Sequence, residues 1–313
     1  MPHADRREAL VREAGRCPSR APRIGSASVP AATRPSTPAS RPPTSGLPRA
    51  GEGSAWVIDL DGVVWLARDP IPGAGEAIGL LRSAGARICF ASNNSSPTVA
   101  ELLARLGDAG VVAEADEVVT SAQAAASMLR AGSTALVVGD EGIMEALADR
   151  GVRASSAVDG AGAASSSSDG RMDAVVVGYT TRFDYGVLRR SAEAVRSGAR
   201  LIGTNEDATL PTPEGLLPGA GSILAAVSTA SGAEPEVAGK PHEPLASLIS
   251  RRCGSVAAVV GDRPSTDGAL ARRLGVPFAL VLSGVTARVA GDADPVADFV
   301  GEDLLAVARG ATR

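Results

Sequence analysis

The chain has 313 residues, is 44% hydrophobic, and balances 31 basic against 35 acidic residues for a net charge of −4. That length buries a good core and accommodates two lobes. No apolar run approaches the ~20 residues of a membrane span, no signal-peptide core follows the N-terminus, and Cys17, Cys89 and Cys253 show neither metal-type nor disulfide-framework spacing, which reads as a soluble cytoplasmic protein.

The charge is unevenly spread. Residues 1–54 carry nine Arg against four acidic residues, a net of +5, which leaves −9 on the remainder. An acidic body argues against nucleic-acid binding as the main activity. The same 54 residues hold nine of the 21 prolines and almost no large apolar side chain. Such a composition cannot offset chain entropy by burial, so 1–54 is expected to be a disordered arm, with a basic anchor as the functional alternative.

From Ala55 the pattern is βα. Ala55-Trp56-Val57-Ile58 runs into Asp59-Leu60-Asp61-Gly62, as a buried parallel strand does where it emerges at its carboxyl end. Strand alternation puts Asp59 and Asp61 on one side and Leu60 on the other. Two carboxylates so close require a proton or cation between them, which points to a hard divalent metal, an acid–base pair, or both. An EF-hand loop is excluded, because Val63, Val64 and Pro70 stand where it needs a ligand, a glycine and a glutamate.

A helix near 75–84 leads to a second strand, Arg87–Ala91, which ends in Ser92-Asn93-Asn94-Ser95. Ser96-Pro97 is suited to open a helix, so the stretch reads as an ordinary capped βα loop or as a phosphate cradle of hydroxyls and amides at a helix N-terminus. Helices are expected over 121–130, 141–150 and 184–197, strands over 135–139, 174–178 and 200–203, and a Ser/Ala/Gly-rich surface loop over 155–170. Residues 133–232 thus form a small α/β lobe inserted between 55–132 and 233–313, with 204–207 and 210–213 as loops at the cleft. Gly239-Lys240-Pro241 then places the only Lys among 31 basic residues inside a turn. An ammonium approaches a single phosphoryl oxygen or carboxylate where a planar guanidinium does not fit. A last buried strand, Val256–Val260, ends in Gly261-Asp262-Arg263, with Asp267 in the next turn, before a helix over 268–274 and a strand over 278–282. Three strands of one doubly wound parallel sheet therefore end in polar chemistry, at the edge where such sheets bind ligands.

Asp59-Leu60-Asp61-Gly62-Val63-Val64-Trp65, Ser92-Asn93-Asn94-Ser95, Gly239-Lys240-Pro241 and Gly261-Asp262-Arg263 with Thr266-Asp267 resemble, in order, the four motifs of the haloacid dehalogenase (HAD) superfamily. The inserted lobe, with Ile202–Asn205 and Leu210–Gly215, resembles subfamily IIA, a branch of phosphatases with an α/β cap. The resemblance covers about 55–313. It implies a HAD Rossmann-like core with a cap, and Mg²⁺-dependent hydrolysis of small phosphorylated metabolites of the phosphoglycolate, glycerol phosphate, sugar phosphate or nucleotide type. It further implies Asp59 as the nucleophile that forms an aspartyl-phosphate, and Asp61 as the general acid and base. Mg²⁺ would sit on Asp59, the Asp61 carbonyl and Asp262. Ser92, Asn93, Asn94 and Lys240 would bind the phosphoryl group, and Asp267 would orient Lys240 or a metal-bound water. A homodimer through the cap is the assembly to look for, with neither nucleic acid nor membrane as partner.

A phosphotransferase or phosphomutase on the same site stays open, as does a non-catalytic binding protein of this fold. A response-regulator receiver domain combines similar residues, but it is far shorter and its phosphorylated Asp ends a later strand.

Overall fold

The computed structural model describes residues 46–67, 69–159, 171–212, 215–286 and 294–313. The expected arm therefore lies outside the described residues up to 45, and so does 160–170 of the expected surface loop.

The chain opens with β1 (Ala55–Ile58), a two-residue ribbon of β2 (Trp65–Leu66) and β3 (Asp69–Pro70), α1 (Ala74–Ser83), β4 (Arg87–Ser92), α2 (Val99–Asp108), β5 (Val118–Thr120) and α3 (Ser121–Ser127). Side-chain alternation divides β1 between two cores. Trp56 and Ile58 pack with α1 and α2, whereas Ala55 and Val57 face the α3 side. Both faces are covered, which is why the strand is apolar throughout.

An inserted stretch follows: β6 (Thr134–Val138), α4 (Glu141–Asp149), β7 (Arg153–Ser156), β8 (Ala174–Val177), α5 (Tyr185–Arg196), β9 (Arg200–Gly203), β10 (Thr209–Thr212), β11 (Gly215–Pro218), α6 (Ala220–Ser231) and β12 (Glu236–Val237). Its sheet runs β12-β9-β8-β6-β7 with every pair parallel. The chain then rejoins the first sheet through α7 (Glu243–Cys253), β13 (Val256–Gly261), a π-helical turn (Pro264–Gly268), α8 (Ala269–Leu274), β14 (Phe278–Val281), β15 (Phe299–Gly301) and α9 (Leu304–Ala311). That sheet has the order β15-β14-β13-β1-β4-β5, again all parallel. β1 is therefore central, between β13 and β4, so the three polar strand ends lie side by side.

Four local expectations are corrected. Residues 46–54 do not belong to a free arm: Leu47 and Ala50 pack on the α1/α9 core, and the Ala50 amide donates to the Ala311 carbonyl at 2.9 Å. The cap of α2 is Thr98 rather than Ser96, because Thr98 and Glu101 close a reciprocal capping box. The 210–213 loop is part of a hairpin, Thr209 pairing with Pro218 and Leu210 with Leu217; prolines at such an isolated ribbon hide this from sequence. The inserted sheet also takes its edge strand from Glu236–Val237, past residue 232, since two residues carry too little periodicity to be seen.

Candidate active site

Asp59 follows β1 and is buried, with 8% exposure. Its Oδ1 accepts the Leu60 amide at 2.8 Å and pairs with Lys240 Nζ at 2.6 Å. Lys240 is 3% exposed. Its ammonium also donates to Asp267 Oδ1 at 2.7 Å and to the Ala91 carbonyl at 3.1 Å. Three acceptors match the three hydrogens of an ammonium. Burial alone would lower the Lys240 pKa, but Asp267 and Asp59 outweigh it and raise it above its ordinary value.

Asp267 is fully buried on the π-helical turn. Its second oxygen accepts the Arg263 amide at 3.1 Å. One oxygen from each of Asp59, Asp262 and Asp267 lies within 4.8 Å of the others. Asp267 nevertheless makes a poor metal ligand, because both of its oxygens already hold donors. Asp262 differs: Oδ2 accepts the Val285 amide at 2.6 Å, while the buried Oδ1 has no hydrogen-bond partner among the described residues. Burial, then the charge of Asp267, pushes the Asp262 carboxyl up to about 6. Asp59 is likewise raised well above the carboxylate range, first by burial and then by Asp267, against the attraction of Lys240. An orphaned carboxylate oxygen beside a second strained carboxylate suits a hard divalent cation such as Mg²⁺. Gly62, at φ +85°, keeps the place open, since a Cβ there would collide with the Asp262 carboxylate.

Asp61 lies beyond β1, and the Trp65 indole donates to its Oδ1 at 3.0 Å. Trp65 is itself buried under Arg105, whose guanidinium carbon is 4.4 Å from the ring centre. At the end of β4, Ser92 Oγ accepts the Asn94 amide at 3.0 Å, which leaves the hydroxyl proton for a ligand. Asn93 and Asn94 are engaged differently. Asn93 Oδ1 accepts the Lys240 amide at 2.7 Å and its Nδ2 donates to the Lys240 carbonyl at 3.3 Å. Asn94 Oδ1 closes a turn on the Ser96 amide at 3.1 Å. Both carboxamides therefore hold protein groups, the first clamping the Lys240 backbone.

Further residues hold these loops, Ser121 and Ser283 without a signal in the sequence and Asn205 from the 204–207 loop expected at the cleft. Ser121 Oγ and Asn205 Nδ2 both donate to the Asn93 carbonyl, at 2.7 and 2.8 Å. Ser283 Oγ donates to the Gly62 carbonyl at 2.8 Å. Asn205 leaves the inserted sheet just after β9 and so ties that lobe to the β4 loop. Its signals in the sequence are the polar Thr-Asn-Glu-Asp run after an apolar strand and the resemblance carried by Ile202–Asn205.

The family model described as haloacid dehalogenase-like hydrolase matches residues 56–153, and one described as HAD-hydrolase-like matches 237–307. A D-glycerol 3-phosphate phosphatase of Mycobacterium tuberculosis is 39% identical over 263 residues, spanning 82% of this chain and 71% of the relative. An acid sugar phosphatase of Staphylococcus epidermidis is 33% identical across 74% of this chain and 87% of its own. The crystal structure of a glycerol phosphate phosphatase from M. tuberculosis in complex with magnesium superimposes with a TM-score of 0.71 at 37% identity, covering 82% of this chain and 76% of that one.

Proposed function

The chain belongs to the haloacid dehalogenase-like hydrolases, and on that premise we propose a Mg²⁺-dependent phosphatase of small phosphorylated metabolites, of the glycerol phosphate or sugar phosphate type. The observation that carries the proposal is the arrangement around Asp59: one oxygen held by Lys240 at 2.6 Å, with the unpartnered Asp262 Oδ1 nearby.

Asp59 is the nucleophile. Its Oδ1 is anchored by Lys240 and the Leu60 amide, which aims the remaining oxygen for attack on phosphorus and formation of an aspartyl-phosphate. Asp61 gives a proton to the departing alcohol oxygen and then takes one from the water that attacks the acyl-phosphate. The Trp65 indole fixes the orientation of that carboxyl. Ser92 donates its hydroxyl to a phosphoryl oxygen, and Lys240 balances the charge that gathers on the transferring group. Asp59, Asp262 and the Asp61 carbonyl would hold Mg²⁺, which when bound supplies charge neutralisation and orients the phosphoryl group. Asp267 and Asn93 are positioning residues, one on the Lys240 ammonium and one on its backbone.

The inserted lobe acts as a cap that selects the substrate and excludes water from the site. It also exposes Tyr185, Leu216 and Leu217, apolar surface consistent with pairing of two copies through the cap. Cys89 and Cys253, buried free thiols, fit a reducing cytoplasm. Phosphate release from glycerol 3-phosphate and p-nitrophenyl phosphate, with Mg²⁺ and with EDTA, tests the activity. Release with Mg²⁺ alone supports it; equal release in EDTA, or transfer of the phosphoryl group to an alcohol without free phosphate, contradicts it.

A further inference from the structure

Lys240 reaches the site from the inserted lobe. It stands three residues past β12, the edge strand of that lobe's sheet, and the Ala238 amide still donates to the Gly203 carbonyl of β9 at 2.9 Å. Gly239 passes so close to the Thr204 carbonyl and Asn93 Oδ1 that a Cβ there would collide with both. The main chain of Lys240 is then held from the core by the Asn93 carboxamide, and its ammonium by Asp59 and Asp267. The lysine therefore spans lobe and core, and its placement depends on how the two are tied together.

The tie is the 204–207 loop. Asp207 Oδ2 accepts the Asn93 carboxamide nitrogen at 3.2 Å. Asn205 Nδ2 donates to the Asn93 carbonyl at 2.8 Å, and its Oδ1 accepts the Asp207 amide at 3.1 Å. The loop is fastened to its own lobe, because the Asp207 carbonyl accepts the Gly221 amide at 2.9 Å in the first turn of α6. Asp207 also decides which way round the Asn93 carboxamide sits. Turned over, its nitrogen would face the Lys240 amide, donor against donor, and its oxygen would face the Asp207 carboxylate. A charged acceptor makes the observed orientation the strong one. Arg263, 3.9 Å from Asp207 Oδ1, is too far for a hydrogen bond and leaves Oδ2 to Asn93.

We propose that Asp207 is a positioning residue for the reaction: from the lobe it fixes the Asn93 carboxamide, which seats the Lys240 backbone and so sets where the ammonium stands against Asp59. The kinetic part of this inference rests on the phosphatase reading of the site. A buried ammonium with all three hydrogens engaged has no slack to absorb a shift of its backbone. A misplacement of about 1 Å can cost on the order of 100-fold in rate.

The only lysine of the chain gives the test its probe: full-length protein carrying ¹³C,¹⁵N-lysine shows one side-chain ammonium signal, that of Lys240. The Asp207 side chain is 26% exposed, so a substitution there is compatible with folding. Asp207→Ala should move the lysine signal in resting protein, without substrate. It should also lower kcat at least about tenfold for glycerol 3-phosphate and p-nitrophenyl phosphate alike, with KM within about twofold. Asp207→Asn, which keeps an acceptor oxygen, should restore both signal and kcat. Glu206→Ala removes another lobe–core contact, the 3.0 Å pair with His242, without touching Asn93, and should leave the signal in place. In an Asn93→Ala background, Asp207→Ala should move the signal no further. An unmoved signal in Asp207→Ala, the same shift in Glu206→Ala, additive shifts with Asn93→Ala, or a loss carried by KM would overturn the proposal. Wild-type protein that releases no phosphate would instead strike the phosphatase reading, and the lysine spectrum would still decide the role of Asp207.

Discussion

Lys240 Nζ sits between two carboxylates, 2.6 Å from Asp59 Oδ1 and 2.7 Å from Asp267 Oδ1, in a pocket that leaves the side chain 3% exposed. The third hydrogen goes to the Ala91 carbonyl. There is no room for a guanidinium, which would overfill the pocket and misplace its charge.

Lys240→Arg should therefore do more than slow the reaction. By its lost charge placement kcat should fall on the order of 100-fold or more, and overpacking should cost about 1–3 kcal/mol of stability. Steady-state kinetics and urea denaturation measure the two effects. Near-wild-type turnover would remove Lys240 from the chemistry.

Asp59→Asn should abolish turnover with the fold retained. Asp61→Asn should be severely impaired but keep metal binding, because its carbonyl is unchanged, whereas Asp262→Ala should lose Mg²⁺ affinity. Calorimetric Mg²⁺ titration of the three variants separates the roles; equal Mg²⁺ affinity in all three would contradict the assignment.

Asp262 gives a pH signature in metal-free protein. Its carboxyl is raised from 3.8 to about 6 in the folded state, by burial and then by Asp267. The folded state then binds the proton more tightly than the unfolded chain, so this stabilisation is complete below pH 3.8 and lost as pH rises through about 6. In EDTA, wild type should lose on the order of 3 kcal/mol relative to Asp262→Asn across that window. Mg²⁺ should reverse the difference above it. Parallel stability curves in EDTA would show that the carboxyl is not strained.

A chain beginning at Gly51 should be less stable than one that retains residues 46–50. Leu47 packs against the α1/α9 core and the Ala50 amide closes onto Ala311. Losing a half-buried leucine and one hydrogen bond should cost about 1–3 kcal/mol, a drop of several degrees in Tm. An unchanged Tm would mean that these contacts contribute nothing.

The sheet that carries the site was legible because β1, β4 and β13 are apolar runs ending in polar residues, and a strand buried on both faces can hardly look otherwise. Asp59, Ser92, Lys240 and Asp262 stood out through chemistry at those ends or through rarity. The work of Asn93 was not legible: its carboxamide clamps the backbone of a residue 147 positions away, a contact that no local pattern encodes. Nor was the packing of Leu47, whose proline- and arginine-rich surroundings outweigh one apolar residue in any composition window. The Thr98 cap was missed because Ser96-Pro97 offered the same start signal two residues earlier.

In the proposed mechanism Asp59 carries the phosphoryl group. Protein mixed with excess ³²P-labelled glycerol 3-phosphate and Mg²⁺, then quenched in acid within one turnover, measures this directly. A hydroxylamine-labile label on the peptide containing Asp59, absent from Asp59→Asn, is the predicted result. Phosphate release with no labelled protein, or a label that persists in Asp59→Asn, would contradict it.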